Sequence, residues 1–211
     1  MVIMDRSEFS EVVQRFDRWR TVAKALGQQP YDAPAFEDER LYFRSDYAEQ
    51  IAKWPRAREE GDWGAYIIDP TSGGMYCIVR SLWHERAAQR SEAVEAVFSR
   101  AEDAGKYIIA RVASSIRFDN GLTSQTVLWR EQGLGAEINV GPVPEAIIQL
   151  ISERTPGGNL AAIRAYEKMY SLAKDPNVFG VTSVGNSPYM HVLTLSFHEL
   201  DAELRHGLPE N

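Results

Sequence analysis

Residues 91–121, SEAVEAVFSRAEDAGKYIIARVASSIRFDNG, constrain the fold of this chain more than any other segment. Val94, Val97, Phe98, Ala101, Gly105, Ile108, Val112 and Ile116 recur at three- and four-residue steps, so the spacing predicts one amphipathic helix with a stripe of about six turns. Gly105 interrupts the stripe at a cost of about 1 kcal/mol relative to alanine, which predicts a kink or a close contact there. Asp119-Asn120-Gly121 supplies the turn chemistry that ends it. Just upstream, the β-rich runs 63–68 and 75–82 flank Asp69-Pro70-Thr71-Ser72-Gly73-Gly74, the pattern of an antiparallel hairpin.

The flanking segments supply further helices and short strands. Phe9, Val12, Val13, Phe16, Trp19, Val22, Ala23 and Leu26 form one stripe, predicting a helix over 7–26 with Asp5 and Glu8 at its start and Gly27 at its stop. A proline-rich, acidic connection at 28–39 precedes a short strand at 41–44 and a helical turn at 47–53. After residue 121, strands are expected at 127–129, 136–140, 178–184 and 189–195, and helices at 144–154, 160–173 and 197–206. The last opens on a Ser196/Glu199 capping-box pattern. Because strands and helices mix without regular βαβ alternation, the expected class is α+β. A single domain spans 1–211: an N-terminal helix and connector over 1–55, then a body over 56–211 with a mainly antiparallel sheet on the long central helix.

Net charge is −7, and five of the seven excess negatives fall in residues 131–211. An acidic chain without a basic stripe is repelled by phosphate backbones, which argues against nucleic-acid binding. The same acidity either maintains solubility or steers a basic protein partner. No apolar run reaches membrane-spanning length, and the acidic N-terminus carries no secretory leader pattern. The single cysteine, Cys77, lies in the apolar run MYCIV, where a buried, inert thiol in a reducing cytoplasm is expected.

No catalytic set emerges. Gly133-Leu134-Gly135 lacks the third glycine of a dinucleotide fingerprint, and 180–185 does not fit a nucleophile elbow. The histidines 84, 191, 198 and 206 form no HExxH pair, so neither a metal nor a cofactor is expected. Trp54, Trp63, Trp83 and Trp129 stand outside the helical stripes, some beside charges, as in Lys53-Trp54-Pro55-Arg56 and Trp129-Arg130-Glu131. Such rings either close the core beneath loops or anchor an interface, where tryptophan and arginine are enriched.

The hairpin over 64–80, Lys106-Tyr107-Ile108-Ile109, Ile116-Arg117 and Gly121-Leu122 together resemble a family of bacterial immunity proteins that accompany polymorphic toxins. The family includes antitoxins of the tuberculosis-necrotizing-toxin type. Segments 133–140 and 193–204 are compatible with it, so the similarity covers about residues 60–205 and leaves out the first 55. The resemblance implies stoichiometric inhibition of a cognate toxin domain in the cytoplasm, an NAD-degrading one for the necrotizing type, and it supplies no catalytic residues. Trp54, Arg56, Trp129, Arg130 and Glu131 are the interface candidates, as aromatic or charged residues in non-periodic segments. The competing expectation is a small-ligand-binding or enzymatic α+β domain whose site is assembled from dispersed residues.

Overall fold

Alternation along strand β3 (Gly64–Pro70) explains the layering of the molecule. Ala65 and Ile67 face one side of the sheet, Tyr66 and Ile68 face the other, and all four are buried. A strand buried on both faces reads as a continuous apolar run and needs covering layers on each side. The structure is a computed structural model describing residues 5–29, 31–45, 47–56, 63–84 and 89–209.

The sheet has eight strands in the order β1-β2-β3-β4-β5-β8-β7-β6, with every neighbouring pair antiparallel. Besides β3 these are β1 (Ala35–Glu37), β2 (Arg40–Ser45), β4 (Tyr76–His84), β5 (Gln89–Phe98), β6 (Ile138–Gly141), β7 (Glu167–Leu172) and β8 (Asp175–Ser183). The main core lies on one face, under α1 (Ser10–Ala25), α3 (Ala101–Asp119), α4 (Gln125–Gln132), a 3-10 segment (Val184–Leu193) and α7 (Phe197–Arg205). A smaller core on the opposite face joins Ala65, Ile67, Cys77, Val79, Val97 and Val181 to isoleucines of α5 (Glu145–Glu153) and α6 (Leu160–Tyr166). Among the described residues the remaining α-helix, α2 (Tyr47–Lys53), follows β2. The class is α+β, with a long central helix against an antiparallel sheet.

The expected N-terminal helix is α1, entered through a 3-10 turn (Arg6–Phe9) that Asp5 caps by accepting a hydrogen bond from the Ser7 amide. Ser196 and Glu199 form the reciprocal capping box of α7. Arg117, buried near the end of α3, donates to the carbonyls of Leu204 and His206 at 2.9 and 2.6 Å. A cation there complements the C-terminal end of the α7 dipole and ties the two helices together.

Five expectations fail, the first because residues 35–37 of the expected connection form strand β1 against β2. The helix predicted over 91–121 starts only at Ala101, because Gln89–Phe98 is strand β5. Opposite Ile78 and Val79 stand Ala96 and Val94, so Glu95 is the extra residue of a bulge. The bulge puts Val94 and Val97 on one face three residues apart, and that spacing imitates a helix. Likewise residues 160–173 split into α6 and then β7, whose edges pair with β8 and β6. Residues 127–129 lie within helix α4 rather than a strand. Residues 189–195, expected as a strand, fall mostly in the 3-10 segment, where Pro188 to Leu193 are all buried.

Glu167 opens β7 opposite Ser183, half-buried and without a counter-ion among the described residues. Burial pushes its carboxyl up from 4.5 to about 7. The folded state therefore holds a proton that the unfolded chain has released, and stability falls as pH rises from about 4.5 to about 7. Glu167→Gln is expected to match the wild type near pH 4 and to exceed it above neutrality. The gain, discounted for solvent screening, is about 1 kcal/mol. Urea unfolding across this window checks it, and a constant difference at all pH values would contradict it.

Candidate functional site

Beyond the edge of α5 and α6, the sheet carries an array of arginines and aromatic rings. Tyr42 and Arg44, two apart on β2, project to the same face by strand alternation. Arg44 is held by Glu37 through paired hydrogen bonds of 2.9 and 2.6 Å. Its guanidinium lies over Tyr42 at 4.3 Å, and over Tyr47 and Trp63 at 4.7 Å each. Arg90 shares the Trp63 ring at 3.4 Å and donates to the Trp63 carbonyl at 2.6 Å and to Ser81 Oγ at 2.7 Å. Two guanidiniums on one indole fix it by cation–π attraction as well as by packing.

The array continues through ion pairs. Ser81 donates to Glu92, Glu92 pairs with Arg40 at 2.9 Å, and Asp69 joins Arg40 to Arg154 at 3.4 and 2.5 Å. Burial pulls Arg40 toward deprotonation, but the hydrogen bond to Glu92 and the charges of Asp69 and Glu92 hold it above the ordinary arginine range. Among the described residues Arg40 Nε and Arg44 Nε are buried donors without a partner. Beside this array lies a depression of about 270 Å³ bounded by Gln50, Trp63, Arg80, Leu82 and Trp83. Trp54, just past α2, is 66% exposed, and Arg56 is exposed after it. The result is a partly open face of preorganised arginine and aromatic side chains, the composition of interface hot spots.

The sequence candidates divide. Trp54 and Arg56 are exposed and follow the helix whose Tyr47 packs on Trp63. Trp129 does not present an exposed anchor: at 1% exposure it lies in the main core. Its indole stacks on His191 at 5.5 Å and donates to Glu203 at 2.7 Å. Helix α4 turns it inward, so the ring closes the core while Arg130 and Glu131 on the same helix remain exposed. Among the described contacts none joins α4 to the Trp63 array. Arg44, Arg90, Tyr42 and Tyr47 escaped the sequence reading. The Tyr-x-Arg spacing on β2 signalled a shared face, but nothing local signalled that segments around 37, 44, 63 and 90 converge.

Other groups offer little chemistry. Burial pushes the Cys77 thiol up to about 11, which leaves it protonated at neutral pH and a poor nucleophile. Among the described residues no group of three or more histidine, cysteine or carboxylate side chains is arranged to hold a metal, and no helix is long and apolar enough to cross a membrane.

No family model matches the chain, and no curated protein matches it in sequence. Among solved structures it is similar to the chain described as Rv3902c from M. tuberculosis, with a TM-score of 0.51 and 14% identity over 92% of this chain and 87% of that one. At that identity the likeness shows a shared fold that embraces nearly the whole of both chains.

Proposed function

We propose that this protein is an immunity protein that binds a cognate bacterial toxin domain one-to-one and inhibits it in the cytoplasm, without turnover of its own. An NAD-degrading toxin is the specific partner proposed. The observation that carries the reading is the Arg44–Trp63–Arg90 array, which suits a protein surface better than an enclosed small-ligand pocket. Two findings support it: the sequence resemblance to toxin-neutralising proteins, and a fold shared with a chain from the organism that gives the necrotizing-toxin type its name.

Co-expression with a toxin encoded beside it tests the proposal. Rescue of growth with recovery of a stable one-to-one complex is the expected result; metabolite turnover by the purified protein alone would overturn it. Within such a complex, Trp54→Ala and Trp63→Ala are each expected to cost about 2 kcal/mol or more of affinity, roughly thirtyfold. Trp54 is exposed enough that its replacement leaves the fold intact, and Arg56→Ala, Arg130→Ala and Glu131→Ala complete the scan. Unchanged affinity in both tryptophan variants, measured by titration calorimetry, would move the interface elsewhere.

A further inference from the structure

A second surface, on the far side of the main core, has a different character. Helices α1 and α7 are clamped together where Asp201 accepts hydrogen bonds from Trp19 Nε1 at 3.0 Å and Arg15 at 2.8 Å. Beside that clamp a groove of about 730 Å³ runs between the two helices and the chain that follows α7. Its apolar lining is Val22, Leu26 and Leu208, which also pack onto the core, and Ala25, Ala202 and Gly207 keep it shallow-walled. Among the described residues no carboxylate lines it. Arg18 and Arg205 stand at its side and also border an adjoining depression of about 270 Å³.

Arg18 on α1 and Arg205 at the end of α7 differ from the other arginines of α1. Arg15 is neutralised by Glu11 and Asp201, and Arg20 by Asp17. Arg18 and Arg205 are exposed and make no ion pair among the described residues, Arg205 merely leaning over Trp19 at 5.8 Å. Within a chain of net charge −7, the described residues thus present a local excess of positive charge along an apolar trough between helices. An apolar groove between two helices accepts the apolar face of a third, and flanking cations select its charge.

We infer that the α1–α7 groove, rimmed by the exposed Arg18 and Arg205 and lined by Val22, Leu26 and Leu208, docks an acidic amphipathic helix of a protein partner. The inference is independent of the toxin reading, since it concerns a different surface and different residues. The helix lays apolar side chains one turn apart on Val22 and Leu26, and its carboxylates meet the two guanidiniums.

The probe is a fluorescein-labelled helical peptide with leucines along one face flanked by glutamates, titrated against the full chain; its control carries lysines in place of the glutamates. The glutamate peptide is expected to bind in the micromolar range, more weakly as salt rises, and about tenfold or more tighter than the lysine peptide. Arg18→Glu and Arg205→Glu should each remove that preference, and Ala25→Trp should block binding by filling the groove, all with unchanged melting temperature. Equal binding of the two peptides, absence of binding at millimolar concentration, or indifference to both charge reversals would overturn the proposal. So would uptake of dodecanoate at the same residues without uptake of the peptide, since that would make the groove a site for a small anionic amphiphile.

Discussion

Asp103→Ala is expected to destabilise the protein by about 3–5 kcal/mol, the cost of leaving a buried charge without its partner. Asp103 is wholly buried in the first turn of α3, and Lys106, one turn on, is 1% exposed. Their charged atoms are 2.8 Å apart. Arg100 adds bonds of 2.6 and 3.0 Å to the same carboxylate, and the Lys106 ammonium also donates to the Leu195 carbonyl at 2.6 Å. Removing Asp103 leaves the Lys106 ammonium in the core with a single backbone acceptor and the half-exposed Glu102 at 3.2 Å. Urea unfolding measures the loss. The double change Asp103→Leu with Lys106→Met should recover most of it, because an apolar pair of similar volume carries no desolvation cost. A loss under about 1 kcal/mol in the single variant would show that Glu102 suffices as the counter-ion.

Gly105→Ala is the second large effect, and its sign runs against helix propensity. Alanine in a helix interior is favoured over glycine by about 1 kcal/mol. At this position, however, an added Cβ would lie 2.3 and 2.5 Å from the two γ-methyls of Val12 and 2.9 Å from its Cβ. Valine is confined at χ1 in a helix and cannot swing aside, so α1 and α3 must part. Overpacking of this kind costs about 1–3 kcal/mol or more, so a net destabilisation of about 2 kcal/mol is expected. Combining Gly105→Ala with Val12→Ala should cost less than the sum of the two single changes, since each removes the other's conflict or void. Additive losses in thermal unfolding would indicate that the helices do not cross at this contact.

Gly105 also shows how far the sequence could be read. A glycine within a long apolar stripe announced a kink or a close approach, and the structure decides for the approach by setting Val12 against it. Helices α1 and α3 and the β3–β4 hairpin were legible because their signals are local: a stripe, a cap, a turn between two β-rich runs. Strands β5 and β7 were not, although each pairs with its neighbour in the chain, because a bulge at Glu95 shifted the apolar spacing of β5 from two to three and β7 follows α6 with no residue between them. Trp129 stands among the expected anchors for a related reason: its neighbours Arg130 and Glu131 are solvated, while the ring itself turns inward to His191 and Glu203.

The sequence by itself determined the α+β class, a long central helix ending near Asp119 and the N- and C-terminal helices, because periodicity and capping act within one element. Only the tertiary structure decided where strands replaced helices, and which side chains share the face around Trp63 and the groove between α1 and α7. Both surfaces join residues from separate segments, brought together by burial on the two faces of one sheet, and no local spacing encodes that convergence.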